Sequence, residues 1–308
     1  MKQKQFYLCA YFIRLRQYKE AIMINTKPMG YIPYKHNLSY KSAYNSSTLL
    51  NKLIADTVSF GSNDRHVQPS YKKNKNGHLN LSSMFRGDLD WFEFAKTLDK
   101  HFKNKDKVNI ICQACSDGSE PYTLAITLLE ELGEKKAKKF FPIIAKDFDS
   151  EILKGAPEGM INLTERDIRE LENRGIDFNK YFEESGKTLV FKNDKLRGQK
   201  TYRVKDILKE NVVFAQADIL KDLETLEDDS NTVLLFRNAL GYLSVEKTIQ
   251  FLDMVDEKFK PDSILVLGGA RRGDYVDKRL MESMNFRPIC KKRMGENQIE
   301  LGTFLKNK

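Results

Sequence analysis

VNIICQACSDGSEPYTLAITLLEEL, residues 108–132, is the stretch from which the rest of the chain can be read. Val108, Ile110 and Ile111 predict a buried strand, Ser116, Asp117 and Gly118 a polar turn, and the residues beyond it a helix. Pro121 falls in the first helical turn, where its missing N–H leaves no bond unmade. Leu124, Ala125, Leu128, Leu129 and Leu132 recur at helical spacing, and Gly133 follows as a stop signal. A strand, a tight glycine turn and a helix N-terminus open many nucleotide-binding α/β domains. Glycine lets backbone approach a ligand closely, and the free amides at a helix start suit an anionic group. This turn has neither the dinucleotide glycine triplet nor a Gly-Lys-Ser phosphate loop. It carries acids instead, Asp117 and Glu120. Acids disfavour a phosphate and favour a ligand with positive charge, such as S-adenosylmethionine with its amino group and sulfonium.

Further strands follow at α/β spacing. FPIIA (141–145) predicts a second strand that ends at Asp147, on the carboxyl edge where parallel sheets bind ligands. VVFAQADIL (212–220) predicts a third strand followed by Asp218, TVLLFRN (232–238) a fourth, and SILVLGGA (263–270) a fifth after the Lys260-Pro261-Asp262 turn. The end, FRPICKKRMGENQIELGTFL (286–305), predicts a closing antiparallel hairpin around Gly295-Glu296-Asn297. Residues 158–210 read as an insertion. It holds an amphipathic helix (Thr164–Asn173, with Ile168 and Leu171), Tyr181-Phe182, and two short alternating strands in TLVFKND (188–194) and TYRVKD (201–206).

Four blocks resemble one family in its own order. CSDGSEPYTLAITL (115–128) resembles the first motif of the CheR methyltransferases, which esterify glutamate side chains on chemotaxis receptors; that pattern is roughly Cys/Ala-Ser-x-Gly-Glu-Glu-Pro-Tyr-Ser-Leu/Ile-Ala. The main departure is Ser119 in place of the first glutamate. LNLSSMFR (79–86) is similar to the Asn-x-Thr-x-Phe-Phe-Arg block, IIAKDFDSEILKGA (143–156) to Ala-Thr-Asp-Ile-Asp, and LLFRNALGYL (234–243) to Cys-Arg-Asn-x-x-Ile-Tyr-Phe. The resemblance implies an α/β fold: a class I methyltransferase Rossmann-like sheet with a small antiparallel β-subdomain at the insertion. It implies S-adenosyl-L-methionine as cofactor, contacted by Asn80, Ser82, Arg86, Glu120, Asp147, Asp218, Ile219 and Asn238. Within that set Asp147 would accept the ribose hydroxyls and Asp218 would meet the adenine edge. Arg86 and Tyr242 are the implied catalytic residues. The implied partner is a protein substrate, with a chemotaxis-type receptor cytoplasmic domain as leading candidate. In some members the β-subdomain docks a receptor peptide by adding a strand.

The implied chemistry is physically economical. A glutamate carboxylate, with a pKa near about 4.3, is already a nucleophile at neutral pH. No general base is needed, in keeping with the position of His36, His66, His78 and His101 outside the four blocks. What the reaction needs is in-line positioning and exclusion of water. An arginine fork and a hydroxyl, here Arg86 and Tyr242, orient a carboxylate best. The bland alternatives are an ion pair of Arg86 with Asp88 or Asp90, and Tyr242 as a core aromatic. Two rival functions stand beside this reading. One is methylation of nucleic acid, prompted by a pI near 9.1. It is disfavoured because Arg237-Asn238-Ala239-Leu240 stands where methylases of base amino groups carry Asp/Asn-Pro-Pro-Tyr/Phe. The other is a cofactor-binding signalling module without turnover.

Charge and composition bound the rest. Residues 1–75 hold thirteen Lys and Arg against three Asp and Glu, a net +10, so the remainder of this +9 chain stands at −1. Residues 1–78 therefore read as a basic, poorly ordered N-terminal segment, with a short helix at Ser47–Val58, and 79–308 as the methyltransferase domain. CheR enzymes usually begin with a compact helical domain, and 1–78 lack its run of amphipathic helices. Fold and cofactor therefore do not fix the acceptor. Four cysteines in 308 residues fit a reducing compartment. Cys112-x-x-Cys115, without a second Cys/His pair nearby, reads as a strand end and ligand turn, and no metal is expected. No apolar run reaches the length of a membrane span, and FYLCAYFI (6–13) is too short and too closely flanked by charge for a signal peptide. The expected location is cytoplasmic.

Overall fold

The computed structural model describes residues 82–163, 165–185, 200–226, 231–268, 276, 278–294, 297–300 and 302–308. Expectations for residues 1–78, Asn80, the Ser47–Val58 helix and TLVFKND lie outside the described residues.

The chain begins with α1 (Trp91–His101), β1 (Asn109–Gln113), α2 (Ser119–Ala137) and β2 (Ile143–Asp147). The insertion carries β3 (Met160–Leu163), α3 (Glu165–Asn173), β4 (Phe182–Glu184) and β5 (Lys200–Val204). Then come β6 (Val212–Gln216), α4 (Ile219–Glu224), β7 (Thr232–Leu235), α5 (Val245–Lys258) and β8 (Ile264–Val266). The end holds α6 (Lys278–Ser283), β9 (Phe286–Pro288), β10 (Lys291–Met294), β11 (Asn297–Glu300) and β12 (Thr303–Lys306). Seven strands form one sheet in the order β6-β2-β1-β7-β8-β12-β9. All pairs are parallel except those of β12 with β8 and with β9.

β1 is the hub, with Ile111 opposite Ile144 on one side and Leu234 on the other. Both β7 and β8 are buried at every position, the continuous apolar pattern of parallel strands covered on two faces. Alternation splits β7 between two apolar clusters: Val233 and Leu235 join the one that holds α1 and α2, and Leu234 joins the one that holds α4, α5 and α6. The strand order runs outward from β1 to β2 and β6 on one side and to β7 and β8 on the other, which leaves a switch point at the carboxyl end of β1.

α1 is an element the sequence reading passed over. Asp90 caps it, accepting from the Glu93 amide at 3.2 Å, and Trp91, Phe92, Phe94, Ala95 and Leu98 form its buried face. The expected break at Gly133 is present: φ 71° and ψ 158° interrupt α2, which resumes as far as Ala137. The strands are shorter than expected at several ends; the fifth spans only Ile264–Val266 among the described residues. The insertion holds a small antiparallel sheet, ordered β3-β5-β4; of the two strands expected there TYRVKD falls in β5, β3 and β4 were not foreseen, and Tyr181 and Phe182 are buried. The closing hairpin divides its work, since β9 and β12 extend the main sheet while β10 and β11 pair as a separate ribbon.

Gly118 begins α2 with φ +91°, in the left-handed region. A Cβ there would sit 2.9 Å from both the Tyr122 ring and the Phe214 ring. Gly118→Ala is therefore expected to cost roughly 1–3 kcal/mol of unfolding free energy, from backbone strain and ring displacement together. Urea denaturation measures this, and wild-type stability in the variant would show that the turn relaxes freely.

Candidate active site

The turn after β1 is held open by backbone strain and by one acid. Ala114, Ser116 and Gly118 all take positive φ, at 60°, 52° and 91°. The Asp147 carboxylate, at the end of β2, accepts from the Ser116 amide at 2.8 Å and from the Asp149 amide at 2.9 Å. Burial pushes the Asp147 carboxyl above its ordinary value, against the pull of those two amides. Each oxygen keeps a lone pair for a further donor.

Three buried acceptor atoms at this turn have no hydrogen-bond partner among the described residues: Gln113 Oε1, Ser116 Oγ and Asp117 Oδ2. Asp117 Oδ1 accepts from the Ser119 amide at 3.0 Å. Burial raises the Asp117 carboxyl, and hydrogen bonds from Ser119 and Ser82 offset part of the rise. Ser82, expected at the cofactor, is thus brought to the turn.

Glu120 lies in the first turn of α2, where it is paired with a buried cation. Its Oε2 accepts from Arg237 Nη1 at 2.7 Å, while Arg237 Nη2 donates to Asp88. Arg237 follows β7, has a side chain 1% exposed, and lies over the Trp91 ring at 4.5 Å. Burial works against its charge, but Asp88 and Glu120 outweigh burial and hold its pKa above the usual arginine value. Burial likewise raises Glu120, with Arg237 opposing. Sequence reading put Arg237 at the ligand edge without a role, offered Asp88 only as a partner for Arg86, and missed their pairing. The available signal was a cation directly after the fully apolar Val233-Leu234-Leu235-Phe236, which burial obliges to find an acid.

Arg86 stands on a short arm fixed at both sides. The Phe85 amide donates to Thr123 Oγ1 of α2 at 3.1 Å, and the Trp91 indole N–H donates to the Arg86 carbonyl at 3.1 Å. Its guanidinium lies within electrostatic reach of Glu120. The acids that offered a bland ion pair are engaged elsewhere, Asp88 with Arg237 and Asp90 as the α1 cap. On the far side of the switch point, Asp218 caps α4 by accepting from the Leu220 amide at 2.9 Å, and Ile219 is buried beside it. Asn238 has φ 53°, and a Cβ on Gly268 would stand 2.8 Å from its amide nitrogen, so glycine at 268 makes room for it. Tyr242 ends a single helical turn, Leu240–Tyr242, and is half-buried. The expected residues from 82 onward therefore gather at the carboxyl edge or on the arm beside it. Asn80 lies outside the described residues. His101 meets the Asp262 carbonyl at 3.0 Å, a structural contact, and Cys112 and Cys115 are buried thiols whose pKa values burial drives up.

The model of the CheR methyltransferase SAM-binding domain matches residues 80–286, a span that contains this whole edge. This chain belongs to the CheR methyltransferase family. It is 28% identical over 161 residues to chemotaxis protein methyltransferase 2 of Vibrio cholerae, covering 52% of this chain and 50% of that one. It is 26% identical over 196 residues to the chemotaxis protein methyltransferase of Listeria monocytogenes, covering 63% and 66%. The chain thus spans between half and about two thirds of the length of these two relatives. Among solved structures, the PH0226 protein of Pyrococcus horikoshii aligns over 78% of this chain and 96% of its own, at 15% identity and a TM-score of 0.38. The cofactor of the matched domain is S-adenosylmethionine. The unpaired acceptors among the described residues, Gln113 Oε1, Ser116 Oγ and Asp117 Oδ2, suit a ligand that brings an ammonium, two ribose hydroxyls and an exocyclic amine. No helix among the described residues is long and apolar enough to cross a membrane.

Proposed function

We propose that this protein transfers a methyl group from S-adenosylmethionine to the side-chain carboxylate of a glutamate in a protein acceptor, in the cytoplasm, with a chemotaxis-type receptor domain as the acceptor class. The observation that carries this reading is the CheR domain match over residues 80–286, with the pinned Arg86 arm beside Glu120 as its structural counterpart. Relatives named as chemotaxis protein methyltransferases support the acceptor class. The same match weighs against the nucleic-acid and non-catalytic alternatives.

Bound S-adenosylmethionine supplies an electrophilic methyl carbon on a sulfonium, whose departure leaves a neutral thioether. Asn80, Ser82, Glu120, Asp147, Asp218, Ile219 and Asn238 are assigned to holding it, Asp147 by its remaining lone pairs toward the ribose hydroxyls. Arg86 grips the acceptor carboxylate with two parallel hydrogen bonds, leaving one oxygen aimed at the methyl. Tyr242 donates its hydroxyl to the same carboxylate. Exclusion of water from this edge once cofactor and acceptor are bound strengthens each of these contacts.

The product decides the acceptor chemistry. With methyl-labelled cofactor and host lysate, the label on protein should leave as volatile methanol under mild alkali, because carboxyl esters hydrolyse and N-methyl groups do not. Alkali-stable label, or label lost to nuclease, would move the reading to another acceptor.

A further inference from the structure

Asp218 reaches the carboxyl edge on a loop that two polar side chains of the neighbouring strands hold in place. Gln113 ends β1, and Lys146 stands opposite it on β2. Register partners in a parallel pair share a face, and here it is the face of Ile111, which packs against the apolar cluster of α4 and α5. Gln113 is 3% exposed and donates through Nε2 to the Ala217 carbonyl at 3.3 Å. The Ala217 amide donates to the Asp147 carbonyl at 2.9 Å, so both backbone polar groups of the residue before Asp218 are held. Lys146 Nζ lies 3.0 Å from Asp222 Oδ2, with the two side chains 23% and 24% exposed. The Asp222 amide donates to the Asp218 carbonyl at 2.9 Å, so this ion pair grips the helical turn that Asp218 begins. Lys146 stands where the resembling block Ala-Thr-Asp-Ile-Asp has a threonine, whose hydroxyl would stop well short of Asp222. Apolar side chains would cover this face at lower cost, but only directional polar contacts fix where the loop sits.

We propose that Gln113 and Lys146 are positioning residues for adenine recognition: together they hold the loop between β6 and α4 so that Asp218 meets the exocyclic amine of the cofactor's adenine. This rests on S-adenosylmethionine being the cofactor and on Asp218 facing its adenine. Asp218 is half-buried, and its Oδ1 already accepts from the Leu220 amide. That cap ties the carboxylate to its own loop, so the carboxylate does not swing out to seek the base. Its place is set by whatever sets the loop. Gln113 fixes the loop before Asp218 and Lys146 fixes the helix after it, both from strands that end at the cofactor edge. The Ala217 amide on the Asp147 carbonyl completes the frame, which spaces the adenine-side acid from the ribose-side acid.

The test compares two ligands that differ only in the base. S-Adenosylhomocysteine carries the exocyclic amine; S-inosylhomocysteine carries a carbonyl oxygen in its place. By calorimetry on the full chain, wild type should bind the adenosyl ligand about tenfold or more tighter, the worth of one hydrogen bond to a charged group, and Lys146→Met or Gln113→Leu should each bring the two ligands within about threefold. Affinity for S-inosylhomocysteine should stay at its wild-type value in both variants. Lys146→Arg keeps a cation within reach of Asp222 and should keep the preference. In an Asp218→Ala background, Lys146→Met should change neither affinity further, because the group it positions has gone. A preference retained in both single variants overturns the assignment. So does an equal loss for both ligands with a lowered melting temperature, which would make the two residues structural ties only. Wild-type protein that binds both ligands alike overturns the place of Asp218 at the adenine, and with it the proposal. Wild-type protein that binds neither overturns the cofactor reading beneath it.

Discussion

Replacing Arg86 by lysine is expected to lower kcat by about 10²–10³, roughly 2.7–4 kcal/mol in the transition state, the usual loss when one preorganised orienting donor is removed. Affinity for S-adenosylhomocysteine should stay near wild type, because lysine keeps the positive charge beside Glu120. What lysine loses is the planar fork, which grips both carboxylate oxygens at once. The arm makes this a clean substitution. Arg86 is held through its own carbonyl by the Trp91 indole, and the neighbouring Phe85 amide is held by Thr123. Neither bond involves the Arg86 side chain, so the backbone keeps its place when the head group changes. Tyr242→Phe removes one hydroxyl and should cost less, also without weakening cofactor binding. Steady-state kinetics with the identified acceptor, set beside calorimetry, separates the two effects. Turnover near wild type in Arg86→Lys would sink the carboxylate clamp.

The sheet was legible in the sequence because its central strands are buried on both faces and so read as unbroken apolar runs, as in Thr232–Leu235 and Ile264–Val266. The turn at the candidate site was legible because turn chemistry is local: Gly118, Pro121 and the acids around them lie within a few residues. Two helices were legible in principle and passed over. In α5, Thr248, Phe251, Leu252 and Val255 recur at helical spacing behind the Ser244 cap, and in α1 the Asp90 cap precedes an aromatic stripe. The ion-pair cluster was of another kind. Arg237 is separated from Glu120 by 117 positions and from Asp88 by 149, and only the sheet order β1-β7 brings them together. An arginine after an apolar strand announces that it needs an acid; it does not say which. The same limit applies to Asp117, whose unpaired oxygen is a property of its surroundings and not of its motif.

Arg237→Met is expected to cost about 3–5 kcal/mol of unfolding free energy, the range for removing one partner of a buried charge pair. The magnitude follows from what is left behind. Asp88 and Glu120 have side chains only 17% and 16% exposed, and both lose the cation that offsets their burial. The Trp91 ring also loses the guanidinium stacked on it at 4.5 Å. Methionine fills much of the volume, so the cost comes from uncompensated charge rather than from a cavity. That origin predicts a rescue. Adding Asp88→Asn and Glu120→Gln to Arg237→Met should recover most of the stability, since neutral groups are far cheaper to bury. The recovered protein should still fail in catalysis. Arg237 bridges the first turn of α2 to the arm that carries Arg86, and neutral side chains do not restore that strut. Chemical denaturation of the single and triple variants measures the first effect, and turnover measures the second. A single variant within about 1 kcal/mol of wild type, inside the ordinary range for single substitutions, would show that the two acids find other partners. A triple variant with full turnover would show that the bridge plays no part in holding the arm.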